Sequence, residues 1–297
     1  MRHLLDMDDL DARELSEILD LAARPDPAPV LAGQAVAMVF QKPSLRTRVS
    51  MERATAQLGG HPVSVRDEEV GLDTREPAED VARVLSQYAA VVGARVYAHA
   101  TVERLAAGAT VPVINLLSDA AHPCEILGDL LLLRRRWGPL DGHSVAWVGD
   151  GNNVCQSLLL GAALCGLHVR VACPPGHEPS PDAVADAGAL LTADPAEAVA
   201  GAEAVYTDVW TSMGQEDEAA ERRRAFAGYT VDEDLMARAA PDALFLHCLP
   251  AHRGEEVSAG VIDGPQSAVW EQAACRMHAQ RGLLWWLAEN ASVEPDR

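Results

Sequence analysis

The sequence is short of positive charge. Against 44 acidic residues it sets 24 basic ones, among them a single lysine, Lys42, and the formal net charge at pH 7 is -20. So acidic a surface repels a phosphodiester backbone, which excludes nucleic acid as an expected partner. Long apolar runs are missing too: 48% of the residues are hydrophobic, yet no uninterrupted stretch approaches the ~20 residues that span a bilayer. The opening Met1-Arg2-His3-Leu4-Leu5-Asp6 turns acidic at once and has neither the apolar core of an export signal nor an Arg/Ser-rich transit character. A soluble, cytoplasmic protein with no membrane partner is expected. The six cysteines, Cys124, Cys155, Cys165, Cys173, Cys248 and Cys275, never fall in C-x-x-C spacing, so neither a disulfide framework nor a zinc knuckle is indicated. Most should be buried thiols. Cys124 beside His122, and Cys248 between His247 and His252, are not grouped on a recognisable ligand frame, and no metal is expected.

What the chain does have is alternation. Its 297 residues suffice for two domains of ordinary size. Leu4, Leu5, Met7, Leu10, Leu15, Ile18, Leu19 and Leu21 predict an amphipathic helical start, with Asp11 and Glu14 spaced as a capping box and Pro25, Pro27 and Pro29 breaking the pattern. Strands are expected at 35–40, 62–65, 91–96 and 111–114, interleaved with helical patterns at 49–58, 81–88 and 102–107. A strongly apolar helix over 122–137 stops before Gly138-Pro139, which marks the domain boundary. Strands at 144–148, 168–173 and 243–247, a helix at 152–164, weaker units between them and a closing helix at 271–290 form a second series. This order predicts an α/β fold of two doubly wound domains, each a mainly parallel sheet flanked by helices, with ligands at the carboxyl ends of the strands. The domains are expected at 1–137 and 138–270.

Four loops could carry chemistry. Phe40-Gln41-Lys42-Pro43-Ser44-Leu45-Arg46-Thr47-Arg48 leaves an apolar strand and opens a helix. A helix start offers unpaired N–H groups and a positive dipole end, to which Ser44 and Thr47 add hydroxyls and Arg46 and Arg48 add charge. A phosphate suits such a place, although an ordinary capped basic turn has the same pattern. The others are His122-Pro123-Cys124-Glu125, Asp208-Val209-Trp210-Thr211-Ser212-Met213-Gly214, and His247-Cys248-Leu249-Pro250-Ala251-His252-Arg253-Gly254-Glu255-Glu256. Gly149-Asp150-Gly151 after a strand hints at a dinucleotide site, but Val154 stands where the third glycine is needed and the next strand ends at Cys173-Pro174 without an acidic residue for the ribose.

Together these motifs, in this order, resemble the aspartate/ornithine carbamoyltransferase family, its ornithine branch above all. F-x-K-x-S-x-R-T-R is similar to that family's phosphate loop, H-P-C-x-I-L-x-D-L to its carbamoyl segment, G-D-G-N-N to the start of its second domain, D-V-W-T-S-M-G-Q to its ornithine loop and H-C-L-P-A-H-R-G-E-E to its closing loop. The resemblance implies a homotrimer or a multiple of trimers without cofactor, with a C-terminal helix, 271–297, returning to complete the first domain. It implies transfer of the carbamoyl group of carbamoyl phosphate to L-ornithine, giving L-citrulline and phosphate, within arginine metabolism. Carbamoyl phosphate is then assigned to Ser44, Leu45, Arg46, Thr47, Arg95, His122, Glu125, Cys248, Leu249 and Arg276, and ornithine to Asn153, Asp208, Ser212 and Met213. Arg95, His122, Asp208 and Cys248 carry the catalytic roles. The chain departs from the pattern where Leu45 replaces a threonine, where Glu125 replaces a glutamine, and where Ala274-Cys275-Arg276 keeps only the arginine of E-N-R. Carbamoylation of another amine and non-catalytic anion binding remain the alternatives.

Overall fold

The computed structural model describes residues 2–212, 214 and 216–290. The chain divides into two compact units, Met1–Leu131 with Cys275–Arg297 and Leu132–Ala274.

The first unit is built on four parallel strands, β1 (Ala35–Phe40), β2 (His61–Arg66), β3 (Val91–Arg95) and β4 (Val113–Leu117), in the order β2-β1-β3-β4. β1 and β3 are buried almost end to end whereas the edge strand β2 alternates with solvent, as a sheet covered on both faces requires at its centre. Val39, Val92, Ala94 and Val113 close one face against Ala78, Val81 and Ala82 of the helix Ala78–Leu85 and Val102 and Leu105 of the helix His99–Gly108. Asp11 caps the helix Ala12–Ala23 in a full capping box with Glu14. The helix does not reach back to Leu4, as the apolar spacing suggested. Leu4 instead forms a parallel bridge with Ile114, its N–H donating to the Val113 carbonyl at 2.9 Å, because a fully buried Leu4 beside the open edge of β4 satisfies backbone and side chain together. Within this unit the last helix, Val269–Asn290, lies from Cys275 onward against the first: Trp286 donates to Glu17 at 3.1 Å and Arg281 to the Ala22 carbonyl at 2.9 Å.

The second unit holds five parallel strands, β5 (Ser144–Val148), β6 (His168–Ala172), β7 (Leu190–Thr192), β8 (Ala204–Thr207) and β9 (Leu244–His247), in the order β7-β6-β5-β8-β9. β7 and β8 are the elements that the sequence pattern left unresolved, being only 3 and 4 residues long. The core beneath them gathers Ala146, Val148, Val205, Trp210, Phe226, Phe245 and Ile262. No helix among the described residues is long and apolar enough to cross a membrane.

Candidate active site

A doubly wound sheet binds ligands where its strand order reverses, because there the loops on neighbouring strands part in opposite directions. In the first unit that place is between β1 and β3. The loops leaving them are joined: Gln41 N–H donates to the Arg95 carbonyl at 2.9 Å, and the Gln41 side chain accepts from Tyr97 N–H at 3.2 Å. The first loop opens the helix Leu45–Gln57, whose cap is Ser44; its Oγ accepts the Thr47 N–H at 3.2 Å and donates to Thr47 Oγ1 at 3.1 Å.

Around this capped helix start the structure gathers groups from distant parts of the chain. Arg276 Nη2 donates to Thr47 Oγ1 at 2.7 Å and lies 3.3 Å from His122 Nε2. Arg276 Nη1 meets the Glu125 carboxylate at 2.6 Å, and the same carboxylate is 3.5 Å from His122 Nε2. Thr47, Arg95, His122, Glu125 and Arg276 are all buried. His122 and Glu125 sit at the head of the helix Pro123–Trp137, and Arg276 reaches them because that helix and the last one nearly touch at Gly128. A Cβ on Gly128 would stand 2.9 Å from the Arg276 Cα, closer than side chains normally approach.

Burial, followed by the charges of Arg276, Arg95 and Arg46, holds the His122 imidazole well below its ordinary 6.5. Glu125 pulls the other way, but one carboxylate does not outweigh burial and three guanidinium groups. His122 is therefore neutral near pH 7, and since a guanidinium only donates, its Nε2 is the acceptor toward Arg276. A neutral imidazole amid three fixed positive charges and a helix N-terminus makes an environment for a compact anion.

The second unit reverses its strand order between β5 and β8. Asp208 follows β8 directly and is 5% exposed. Its Oδ1 accepts from the Cys248 thiol at 2.8 Å and from its own neighbour Val209 N–H at 2.8 Å, and its Oδ2 accepts from the Asn152 side chain at 2.8 Å. Asn152 meanwhile caps the helix Asn153–Cys165 through Val154 and Cys155 N–H. A carboxylate so surrounded is fixed in direction, and it can orient a cationic amine. Cys248 starts the loop after β9, which is held open by His247: Nδ1 accepts from Leu249 N–H at 2.8 Å, and Nε2 faces Glu256 at 3.1 Å. That grip keeps Leu249 at a φ of 58°, a left-handed conformation costly for a branched residue. Asp208, His247 and Cys248 offer ligand atoms within 4.8 Å of one another. With both His247 nitrogens engaged by Leu249 and Glu256, the trio does not make a competent metal site.

Ser44, Thr47, Arg95, His122, Glu125 and Arg276 thus meet in the first unit, with Arg46 within electrostatic reach, while Leu45 offers backbone only, its side chain being 78% exposed. Asp208, Cys248 and Leu249 belong to the second unit. Asn153 is the first residue of its helix, yet the side chain bonded to Asp208 is that of Asn152. Ser212 is half-buried in the loop after β8, and Met213 lies outside the described residues. Reading the motifs missed Asn152 and the His247 to Glu256 contact. Two consecutive asparagines at a helix start were the visible sign of the first; the second had none.

Residues 2–135 match the carbamoyl-P binding domain of aspartate/ornithine carbamoyltransferases, and residues 141–287 match the Asp/Orn binding domain of the same family. An ornithine carbamoyltransferase of Acidothermus cellulolyticus is 51% identical, with 98% of each chain covered. The crystal structure of ornithine carbamoyltransferase from Thermus thermophilus superposes with a TM-score of 0.91 at 46% identity, over 97% of this chain and 99% of that one. The enzyme from Pyrococcus furiosus gives a TM-score of 0.91 at 47% identity, over 95% and 96%.

Proposed function

Because the chain belongs to the aspartate/ornithine carbamoyltransferase family, we propose that it transfers the carbamoyl group of carbamoyl phosphate to the side-chain amine of L-ornithine, giving L-citrulline and phosphate. The observation that carries this reading is the buried cluster of Arg276, Thr47, His122 and Glu125 at the capped start of the helix Leu45–Gln57.

In this reading the phosphate rests on the backbone of Leu45, Arg46 and Thr47 and the Ser44 hydroxyl, with Arg46, Arg95 and Arg276 meeting its charge. A bond forms between the ornithine nitrogen and the carbamoyl carbon, and the bond from that carbon to the phosphate oxygen breaks. The intermediate oxyanion is met by donors already in place, Thr47, Arg95 and His122, so little reorganisation is needed as charge develops. Glu125 faces the carbamoyl NH2 as an acceptor. The attacking amine must first give up a proton against a reference pKa of ~10. Asp208, held by Asn152 and Cys248, orients the ammonium and assists that loss. Cys248 acts as a hydrogen-bond donor there and forms no covalent intermediate. Asn153, Ser212 and Met213 take the amino-acid end.

Homotrimers, or multiples of them, in the cytoplasm complete the proposal. Leu45, Val49 and Val63 expose 78%, 54% and 37% of their surface on the phosphate-loop helix and the edge strand, apolar area that a second copy would cover. No disulfide joins the described cysteines, as suits a reducing compartment. Light scattering should give a mass divisible by three protomers. The purified protein, supplied with carbamoyl phosphate and ornithine, should form citrulline and phosphate in equal amounts; no citrulline would refute the assignment.

A further inference from the structure

Arg222 lies in the helix Ala219–Ala225, just beyond the loop that starts at Asp208. It heads a run of three arginines in the last turn of that helix, yet it alone turns inward and is 6% exposed. Its Nε donates to the Trp210 carbonyl inside the loop, and its Nη2 donates to the Asp150 carboxylate in the turn after β5. The guanidinium packs over the Phe226 ring at 5.4 Å, and Phe226 stacks on Trp210 at 5.8 Å. Glu218, the residue before this helix, comes within 3.7 Å of Nη1, and His177 approaches the other Asp150 oxygen at 3.8 Å.

A salt bridge of this kind is a poor investment for stability alone, since burying both charges costs about as much as their attraction returns. Its geometry is more telling. The turn after β5 and the loop after β8 leave the two strands at which the sheet order reverses, and they are already tied by Asn152 to Asp208. Arg222 makes the second tie, from Asp150, two residues before Asn152, to Trp210, two residues after Asp208. Two ties fix a segment's direction where one leaves it free to pivot.

We infer that Arg222, with Asp150, is a positioning pair for the acceptor amino acid: it sets the stretch from Trp210 to Ser212 against the turn that carries Asn152 and Asn153. It touches no reacting atom. The inference rests on the proposed carbamoyl transfer to ornithine, and it assigns to Arg222 acceptor affinity and not anion binding.

Arg222→Lys is the discriminating change, because an ammonium can serve either the Asp150 carboxylate or the Trp210 carbonyl but lacks the planar fork that serves both. The KM for ornithine should rise about tenfold or more, the worth of one charge-assisted hydrogen bond, whereas the calorimetric affinity of the free enzyme for carbamoyl phosphate should stay within roughly twofold, well below that value. Should Arg222→Lys not fold, Asp150→Asn combined with Arg222→Gln leaves no buried charge unpaired and should show the same split. An unchanged ornithine KM in a folded variant, or an equal loss of carbamoyl phosphate affinity, would overturn the inference. Absence of citrulline from the unmodified protein would instead overturn the reaction on which it rests.

Discussion

The Glu125 carboxylate holds the Arg276 guanidinium at 2.6 Å, with both side chains shielded from water. Arg276 is thereby partly engaged within the protein before any anion arrives. Glu125→Gln keeps the shape and an acceptor while removing the negative charge. Affinity for carbamoyl phosphate should increase by at least about tenfold, since one unit charge ~4 Å away at an effective dielectric of ~20 is worth about 4 kcal/mol, more than the ~1.4 kcal/mol that a tenfold change represents. Stability should drop, by less than the ~3–5 kcal/mol of a fully broken buried pair. Steady-state kinetics and urea denaturation read the two effects; unaltered carbamoyl phosphate affinity would mean that Glu125 does not compete for Arg276.

His122 ties stability to acid. The unfolded chain takes up a proton near pH 6.5 that the folded protein, with its imidazole held well below that value, declines. Its contribution is therefore complete above that pH and is lost as the pH falls below it. Replacing His122 by Asn removes this dependence. The parent's unfolding free energy should decline relative to the variant's by up to ~1.4 kcal/mol per pH unit on going down from about 6.5 to 5. Asp150, whose carboxyl burial pushes up to about 6, works in the opposite sense: its contribution is present in acid and lost as the pH rises through that value. Because both proteins contain Asp150, the difference isolates His122, and a difference flat in pH would contradict a neutral imidazole.

Cys248 supports Asp208 through a thiol that donates at 2.8 Å. A serine retains a donor at nearly the same place; an alanine does not. Cys248→Ala should lose about tenfold in kcat/KM for ornithine and Cys248→Ser distinctly less. Equal losses would indicate that bulk, and not the hydrogen bond, is what the position supplies.

Gly128→Ala tests how Arg276 is placed. The added methyl would stand 2.9 Å from the Arg276 Cα and 3.1 Å from its N, and backbone cannot swing aside as a long side chain can. Overpacking of this kind costs about 1–3 kcal/mol, and the shifted helix would draw Arg276 from Thr47, weakening carbamoyl phosphate binding. Chemical denaturation and binding calorimetry should both respond. A variant as stable and as tightly binding as the parent would show slack between the helices.

Local rules made much of the molecule readable. Asp11 with Glu14, and Ser44 ahead of Thr47, are caps whose meaning lies within four residues of chain, and buried parallel strands announced themselves as apolar runs. Leu4 defeated the helical spacing because an open strand edge far along the chain claimed it. The partner of Glu125 was beyond reach for the same reason: Arg276 arrives from the last helix, which approaches closely at Gly128. Arg222 was hidden differently, since nothing in Arg222-Arg223-Arg224 tells which guanidinium faces Asp150.

The first unit owns two separated pieces of chain, one ending at Leu131 and one starting at Cys275. During synthesis the N-terminal piece leaves the ribosome long before the other, and domains otherwise tend to fold in order of emergence. Here the turns that bring Trp286 to Glu17 and Arg276 to Thr47 emerge only after the whole of the second unit. A prematurely stopped polypeptide would lack one wall of the anion cradle altogether, so incomplete products could not sequester the donor substrate from finished enzyme.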